Sequence, residues 1–177
     1  MTPRLLTILT AKLAPVLLLL LVAVVSGQAE AAATNAPPRG TGNPFDQLTG
    51  DWTGGGMVTP SRGGPEKVDC KVTYTTAGNT VTQTLLCTGV DNRYDAKTKF
   101  KIKGDKISGS WLETTFDASG SISGSAIGHL VHARISGDKF SGRMSINVSD
   151  SGHTINIVQL DNKSGTYRLA ASFALHR

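Results

Sequence analysis

Few side chains in this sequence have the types and spacing that catalysis requires. The chain contains no phosphate-binding loop, no dinucleotide-binding glycine pattern, no HExxH motif and no CxxC pair. The stretch 120–124 resembles a turn that carries a nucleophilic serine, but its central residue is Ile122. His129 and His132 are three residues apart, which places them on opposite faces of a strand and prevents them from sharing a metal ion. We therefore predict no enzyme activity, no metal and no cofactor.

The remaining candidates suit the binding of a small ligand inside the protein. Residue parity places Glu113 on the face of Trp111, and a buried carboxylate needs a partner, which His129 or Tyr74 would supply. We predict a small, mostly apolar cavity beside Trp111, with Glu113 or His129 as its polar handle. The alternative is a bulge that turns Glu113 outward. The predicted ligand contacts are Trp111, Glu113, Tyr74, His129 and Tyr167.

Four lysines form a stripe on one face of a predicted strand, because Lys97, Lys99, Lys101 and Lys103 alternate with other residues. This stripe is either an anion-binding surface or a solvated face or protected edge strand, and the second interpretation is favoured. The formal net charge of +5 is too small to predict a nucleic-acid partner.

The first 33 residues have the organisation of a secretory signal. Arg4 and Lys12 are basic, residues 13–25 are apolar apart from one proline, and Ala29-Glu30-Ala31 matches an A-x-A cleavage site. A membrane anchor is the alternative, but the apolar run is too short to span comfortably. We predict that 1–33 is cleaved and that the mature protein is periplasmic or secreted and does not span a membrane.

The rest of the chain divides into an extended arm, 34–44, and a β-barrel domain, 45–177. The arm lacks hydrophobic periodicity, whereas turn signals recur at short intervals after Phe45, between β-branched segments. We predict an all-β fold, a single antiparallel up-and-down meander of eight or nine strands that closes into a barrel. The strands are expected near 48–59, 66–76, 80–90, 98–103, 106–117, 121–136, 139–149, 153–160 and 166–176.

Two patterns predict which side chains point inward. Alternation places Tyr167 on the same face of the last strand as Phe173 and Leu175. A repeat of large apolar residue, hydroxyl residue and glycine places glycines on inward faces, where they either permit sharp coiling or leave room for a ligand. Coiling is the favoured interpretation. The repeat glycines are Gly54, Gly109, Gly124 and Gly142.

The two cysteines predict a strand register. Cys70 and Cys87 lie symmetrically about Gly78-Asn79, so a two-residue hairpin turn there places them opposite each other. Parity makes them a non-hydrogen-bonded pair, whose Cα atoms approach to about 4.5 Å, within disulfide reach. Because an exported protein meets oxidants, we predict a structural disulfide rather than a redox or metal site.

Gly50-Asp51-Trp52 resembles the Gly-x-Trp signature of calycin barrels, which include lipocalins, avidins and small bacterial metalloprotease inhibitors. The resemblance implies that Trp52 lies at a closed barrel end with an arginine from the C-terminal region packed on it. Arg177 is the candidate, because Arg168 has the opposite parity. The chain also resembles exported bacterial proteins of unknown function.

These features predict a function in binding. We expect an exported barrel that takes a small apolar or amphipathic ligand, or another envelope component, in the cell envelope. The alternative is a protein-binding module such as a protease inhibitor. In the resembling inhibitors an extended N-terminal segment enters the enzyme's cleft, and residues 34–44 would take that part.

Overall fold

The computed structural model of the chain describes residues 42–60 and 63–177. The predicted signal peptide and residues 34–41 of the predicted arm lie outside this part. The elements are one short helix and ten strands: α1 Pro44–Leu48, β1 Gly50–Val58, β2 Glu66–Ala77, β3 Thr80–Thr88, β4 Arg93–Lys103, β5 Lys106–Glu113, β6 Ala118–Ile127, β7 Leu130–Gly137, β8 Gly142–Ser149, β9 Gly152–Leu160 and β10 Tyr167–His176.

The strands form a closed antiparallel barrel. Each strand pairs with its neighbours in the chain, and β1 pairs with β10 to close the sheet. The predicted all-β meander is thus confirmed, but the predicted count of eight or nine strands is wrong. The segment 121–136 is two strands, β6 and β7, joined by the turn 128–129. Gly128 has φ of 63°, a conformation that glycine adopts without steric cost and that a two-residue turn requires.

The predicted disulfide is confirmed. Ala77 pairs with Thr80 across the turn, and Cys70 pairs directly with Cys87 on the next strand. The two sulfur atoms are bonded, and the Cα atoms are 4.1 Å apart. Both side chains are buried and point into the barrel.

The inward glycines serve the curvature of the sheet. A Cβ atom at Gly54 would collide with the backbone carbonyl of Ala174, and one at Gly109 with that of Lys99. These positions therefore need glycine so that neighbouring strands can coil closely, which favours the coiling interpretation. The same backbone collision occurs at Gly56, Gly120, Gly124 and Gly142.

The two ends of the barrel are built differently. At one end, which we call the closed end, all hairpin turns have two residues, and α1 lies against β2, β6 and β8. Pro44, placed in the predicted arm, instead begins this helix and is buried. Phe45 and Leu48 of α1 are fully buried, so the helix plugs the barrel. The two-residue turns are 78–79, 104–105, 128–129 and 150–151.

The opposite end, which we call the open end, carries longer connections. They follow β3, β5, β7 and β9 at 89–92, 114–117, 138–141 and 161–166, and the connection from β1 to β2, of which residues 59–60 and 63–65 are described, lies at the same end. No helix of the described residues has the length and apolar character needed to cross a membrane.

Candidate functional site

Trp52 and Arg177 fix the plug at the closed end. The guanidinium of Arg177 lies 4.5 Å from the centroid of the Trp52 ring. Arg177 donates to the carbonyls of Gln47, at 2.9 Å, and Thr49, at 3.2 Å. The Trp52 indole donates to the carbonyl of Leu48 at 2.7 Å. The last carbonyls of a helix lack partners within the helix, so these contacts satisfy them and give both residues a structural part.

A buried polar chain runs inward from Trp52. Gln83 donates to the hydroxyl of Tyr74 at 2.9 Å, and that hydroxyl is 3.2 Å from Nε2 of His153. The His153 ring packs edge-on against Trp52 with centroids 4.7 Å apart. If Tyr74 donates to Nε2, the neutral ring carries its proton on Nδ1, which has no hydrogen-bond partner among the described residues.

Burial is the main cause of the pKa shifts in this group of hydrogen-bonded side chains. It lowers the pKa of His153 to about 4 and raises the pKa of Tyr74 above its ordinary value. Tyr74 faces the interior as predicted. Its ring is almost fully buried and its hydroxyl is already paired, which fits a structural residue of the closed half.

Trp111 lies toward the open end, where two glycines occupy the neighbouring positions on β6 and β7. It pairs with Gly120, which in turn pairs with Gly137 on β7. Cζ2 of the indole would be 2.8 Å from a Cβ atom at position 137, so the ring rests directly on Gly137. Phe140 packs against the indole with ring centroids 6.1 Å apart. Both aromatic side chains stay half-buried.

Two side chains hold the loops around Trp111. The Glu113 carboxylate accepts from the backbone N–H of Thr115 at 3.0 Å and of Phe116 at 2.8 Å. The ammonium of Lys139 binds the carbonyl of Asp117 at 2.7 Å and its carboxylate at 3.2 Å, which joins the loops 114–117 and 138–141. The expectation that Glu113 is a polar handle in the cavity is not met, because its oxygens turn to the loop backbone.

Two other predicted contacts do not face the interior. His129 lies exposed in the β6–β7 turn at the closed end, because the predicted strand 121–136 breaks there. Tyr167 lies on the outer face, where the guanidinium of Arg143 is 4.5 Å from its ring centroid. The cause is a β-bulge between Leu169 and Ala171, which reverses the parity of everything before it on β10.

The same bulge turns Arg168 inward at the rim of the open end. Its guanidinium donates to the carbonyl of Thr59 at 3.2 Å and to the side-chain oxygen of Gln159. Parity counted back from Leu175 placed Arg168 outside, so sequence reasoning missed this residue. The one feature of the sequence that marks the bulge is the pair of small residues Ala170 and Ala171, both of which are buried there.

Inward side chains differ in exposure along the barrel, although Val68 and Cys87 near the open end are also at 0–1%. In the closed half the most deeply buried are at 0–1%, namely Val81, Phe100, Val131, Ile146 and Ile155. Toward the open end inward side chains retain 6–9%, namely Leu85, Tyr94, Thr98, Ile135, Met144 and Ala171. Ala96 and Ile157 are only partly buried. Several inward side chains near the open end are therefore less completely buried than those of the closed half, although Ile102 in the closed half is also only partly buried.

The outer surface carries the lysine stripe. The protected-edge interpretation is wrong, because β4 pairs with both β3 and β5 in the closed barrel. Lys97 and Lys99, with Thr82, Ser110 and Leu112, border a surface depression of about 310 Å³. The single ion pair among the described residues joins Lys139 to Asp117, so the stripe has no acidic partner there. The described residues also hold no group of three metal-ligating side chains.

Fold and site together define a ten-stranded antiparallel β-barrel that is plugged at one end. No protein-family model matches the chain, and no curated protein matches it. Solved structures of barrel-type fold are similar. Rv2717c from M. tuberculosis has a TM-score of 0.62 and 10% identity, over 78% of this chain and 99% of that one. The S-type phycobiliprotein lyase CPES from Guillardia theta has a TM-score of 0.52 and 10% identity, over 74% of this chain and 88% of that one. At this identity the likeness concerns the fold alone.

Proposed function

We propose that the protein is a binding barrel for a small apolar or amphipathic ligand, which enters at the open end. The observation that carries this proposal is the group of partly buried apolar side chains near the open end, namely Ala96, Trp111, Phe140 and Ile157. A side chain that faces a packed core loses its exposure, as Val81 does. Partial exposure of Ile157 and Ala96 on the inner wall is what a concave, apolar site requires.

The size of the barrel supports the same proposal. A barrel of about eight strands is just wide enough to be filled by side chains or to hold one small ligand, and the diameter grows with strand number. Ten strands therefore enclose more space than the predicted eight or nine. In the closed half α1 fills that space with Phe45 and Leu48, whereas no helix among the described residues plugs the open end.

The aromatic pair at the open end supplies the contact surface. Trp111 and Phe140 are half-buried, and their loops are held by Glu113 and Lys139. Side chains fixed in this way offer a ligand apolar area at little cost in conformational entropy. The proposed contacts are therefore Trp111, Phe140, Ile157 and Ala96.

The proposal includes export to the periplasm or the exterior. The disulfide Cys70–Cys87 supports it, because such bonds persist in oxidising compartments. N-terminal sequencing of the protein from its host tests this part. A mature N-terminus between Ala32 and Thr34 is expected, and an N-terminus at Met1 would contradict export. The alternative function through residues 34–44 stays a prediction, which deletion of residues 34–42 tests by the loss of a protein partner, because Asn43 caps α1 and Pro44 begins it.

A titration with N-phenyl-1-naphthylamine, an uncharged probe that fluoresces in apolar surroundings, tests the binding proposal. The wild type should bind the probe, and Ala96→Leu should block binding by filling the open half. Ala77→Leu is the matched control, because Ala77 is exposed at the end of β2, next to the two-residue turn 78–79. Absence of binding, or equal effects of the two substitutions, would contradict the proposal.

A further inference from the structure

We infer that Arg168 binds the anionic head group of the ligand, so that the ligand is an amphiphile ending in a carboxylate or phosphate. The inference rests on the proposed function and adds the ligand's polar end to it. The apolar part would lie against the inner wall near the open end, and the head group would lie at the rim.

The position of Arg168 follows from the bulge in β10. Tyr167 and Leu169 lie exposed on the outer face, so the side chain between them points to the inside of the barrel. Arg168 is half-buried and pairs with Gln159 on β9. One step further in along these strands, Ala171 pairs with Ile157, which begins the apolar wall.

Among the described residues, the guanidinium of Arg168 has no carboxylate partner. Its two hydrogen bonds go to neutral oxygens, on Thr59 and Gln159. A guanidinium has five N–H donors, so three stay unused within the described residues. A half-buried charge is costly without a counter-charge, and a carboxylate or phosphate suits the unused donors in a bidentate arrangement.

Three acids at the same end, Asp161, Glu113 and Glu66, accept hydrogen bonds from groups other than Arg168. Asp161 accepts from the backbone N–H of Lys163, at 2.8 Å, and Ser164, at 3.0 Å. These bonds, with a smaller contribution from the charge of Arg168, lower the pKa of Asp161, yet the two side chains form no ion pair. The Glu113 carboxylate accepts hydrogen bonds from the backbone of the loop that follows it.

Glu66 begins β2, which is two strands from β10 on the side opposite to β9, and its carboxylate is also hydrogen-bonded to other groups. Its carboxylate accepts from the backbone of Asp91 at 2.7 Å, from the side chain of Asn92 at 3.0 Å and from the hydroxyl of Tyr94 at 2.9 Å. These donors lower its pKa to about 2. These three acids therefore accept hydrogen bonds from groups of the loops, and no described acid forms an ion pair with the inward arginine.

Phe140, one member of the aromatic pair, lies just before β8, which is two strands from Arg168 on β10, and Trp111 is on β5. The partner of Arg168, Gln159, pairs with Gly142, and Phe140, which packs on Trp111, is two residues before Gly142. An amphiphile whose head group binds Arg168 would therefore have its apolar chain beside these rings. The outer lysine stripe is the competing anion site, and binding there would not depend on Arg168.

The test compares 11-(dansylamino)undecanoic acid with its methyl ester, which share one chain and differ in the charge of the head group. Wild type should bind the acid about tenfold more tightly than the ester, because a charge-assisted bidentate pair is lost in the ester. Arg168→Gln should remove this preference while the variant still binds the ester, and Arg168→Lys should keep part of the preference. Arg143→Gln is the matched control, because Arg143 is an exposed arginine on the outer face of β8.

The possible results distinguish a failure of the head-group inference from a failure of the proposed function. Ester binding by Arg168→Gln also shows that the variant is folded. Equal affinity of wild type for acid and ester, or an acid preference that survives Arg168→Gln, would overturn the head-group inference while the binding barrel stands. If wild type binds neither probe, the binding barrel and the head-group inference both fail.

Discussion

The same ten strands form a plugged end and an end without such a plug among the described residues. At the closed end, two-residue turns draw the strands together, and α1 inserts Phe45 and Leu48 into the mouth. At the open end the loops are longer, and Trp111 and Phe140 stay half-buried. Under the proposed function, stability depends mainly on the closed half and binding on the open half, so substitutions in one half should affect one property more than the other.

The largest expected effect comes from the plug. Phe45 is fully buried and packs on Phe100 with ring centroids 5.0 Å apart. Phe45→Ala should lower the free energy of unfolding by about 3–5 kcal/mol, because it removes a full aromatic side chain and leaves a cavity. Phe140→Ala, at the half-buried open end, should cost less. Urea unfolding of both variants measures the difference, and equal losses would remove the distinction between the ends.

Loss of the disulfide should come next. The bridge closes a segment of 17 residues, and its removal should lower the free energy of unfolding by about 3 kcal/mol on loop-entropy grounds. Unfolding with and without a reductant gives the value, with Cys70→Ala/Cys87→Ala as a second route. A shift near zero in both would mean that the strand register does not depend on the bridge.

Protonation of His153 should destabilise the folded protein at acid pH. Burial depresses its pKa from an ordinary 6.5 to about 4, so the unfolded chain binds this proton more readily than the folded protein. Stability should therefore fall as pH falls from 6.5 to 4, by roughly 2–3 kcal/mol in all. His153→Phe should flatten this part of the pH profile, whereas the same change at the exposed His129 should not. An unchanged slope in His153→Phe would exclude His153 as the cause.

Arg177 should give the smallest of these effects. Its side chain is exposed, so its contact with Trp52 and its bonds to α1 should contribute about 1–2 kcal/mol together. Arg177→Ala should lower the melting temperature and leave the affinity for N-phenyl-1-naphthylamine unchanged. A loss of probe affinity would show that the closed end contributes to binding.

The closed end was largely predictable from the sequence, because local rules determine it. The hairpin at Gly78-Asn79 gave the pairing of Cys70 with Cys87, and the resemblance to calycins pointed to the contact between Trp52 and Arg177. The turn at 128–129 was missed, because Gly-His is a weak turn signal between two alternating segments.

The open end was harder to predict, because its geometry depends on one irregularity. A single bulge in β10 reverses the facing of Tyr167 and Arg168, and strict alternation of residues carries no information about it. Parity correctly placed Trp111 inside. It could not show that Glu113 would turn to the loop backbone, since that choice depends on the N–H groups of Thr115 and Phe116.

The separation of the two ends can be tested by one titration, because the protein has two tryptophans and the described barrel places one at each end. In an NMR titration with N-phenyl-1-naphthylamine, the indole N–H resonances of Trp52 and Trp111 report on the closed and the open end. The structure predicts that the Trp111 resonance shifts and saturates with the probe while that of Trp52 stays in place. A shift of the Trp52 resonance alone, or of neither, would contradict a binding site at the open end.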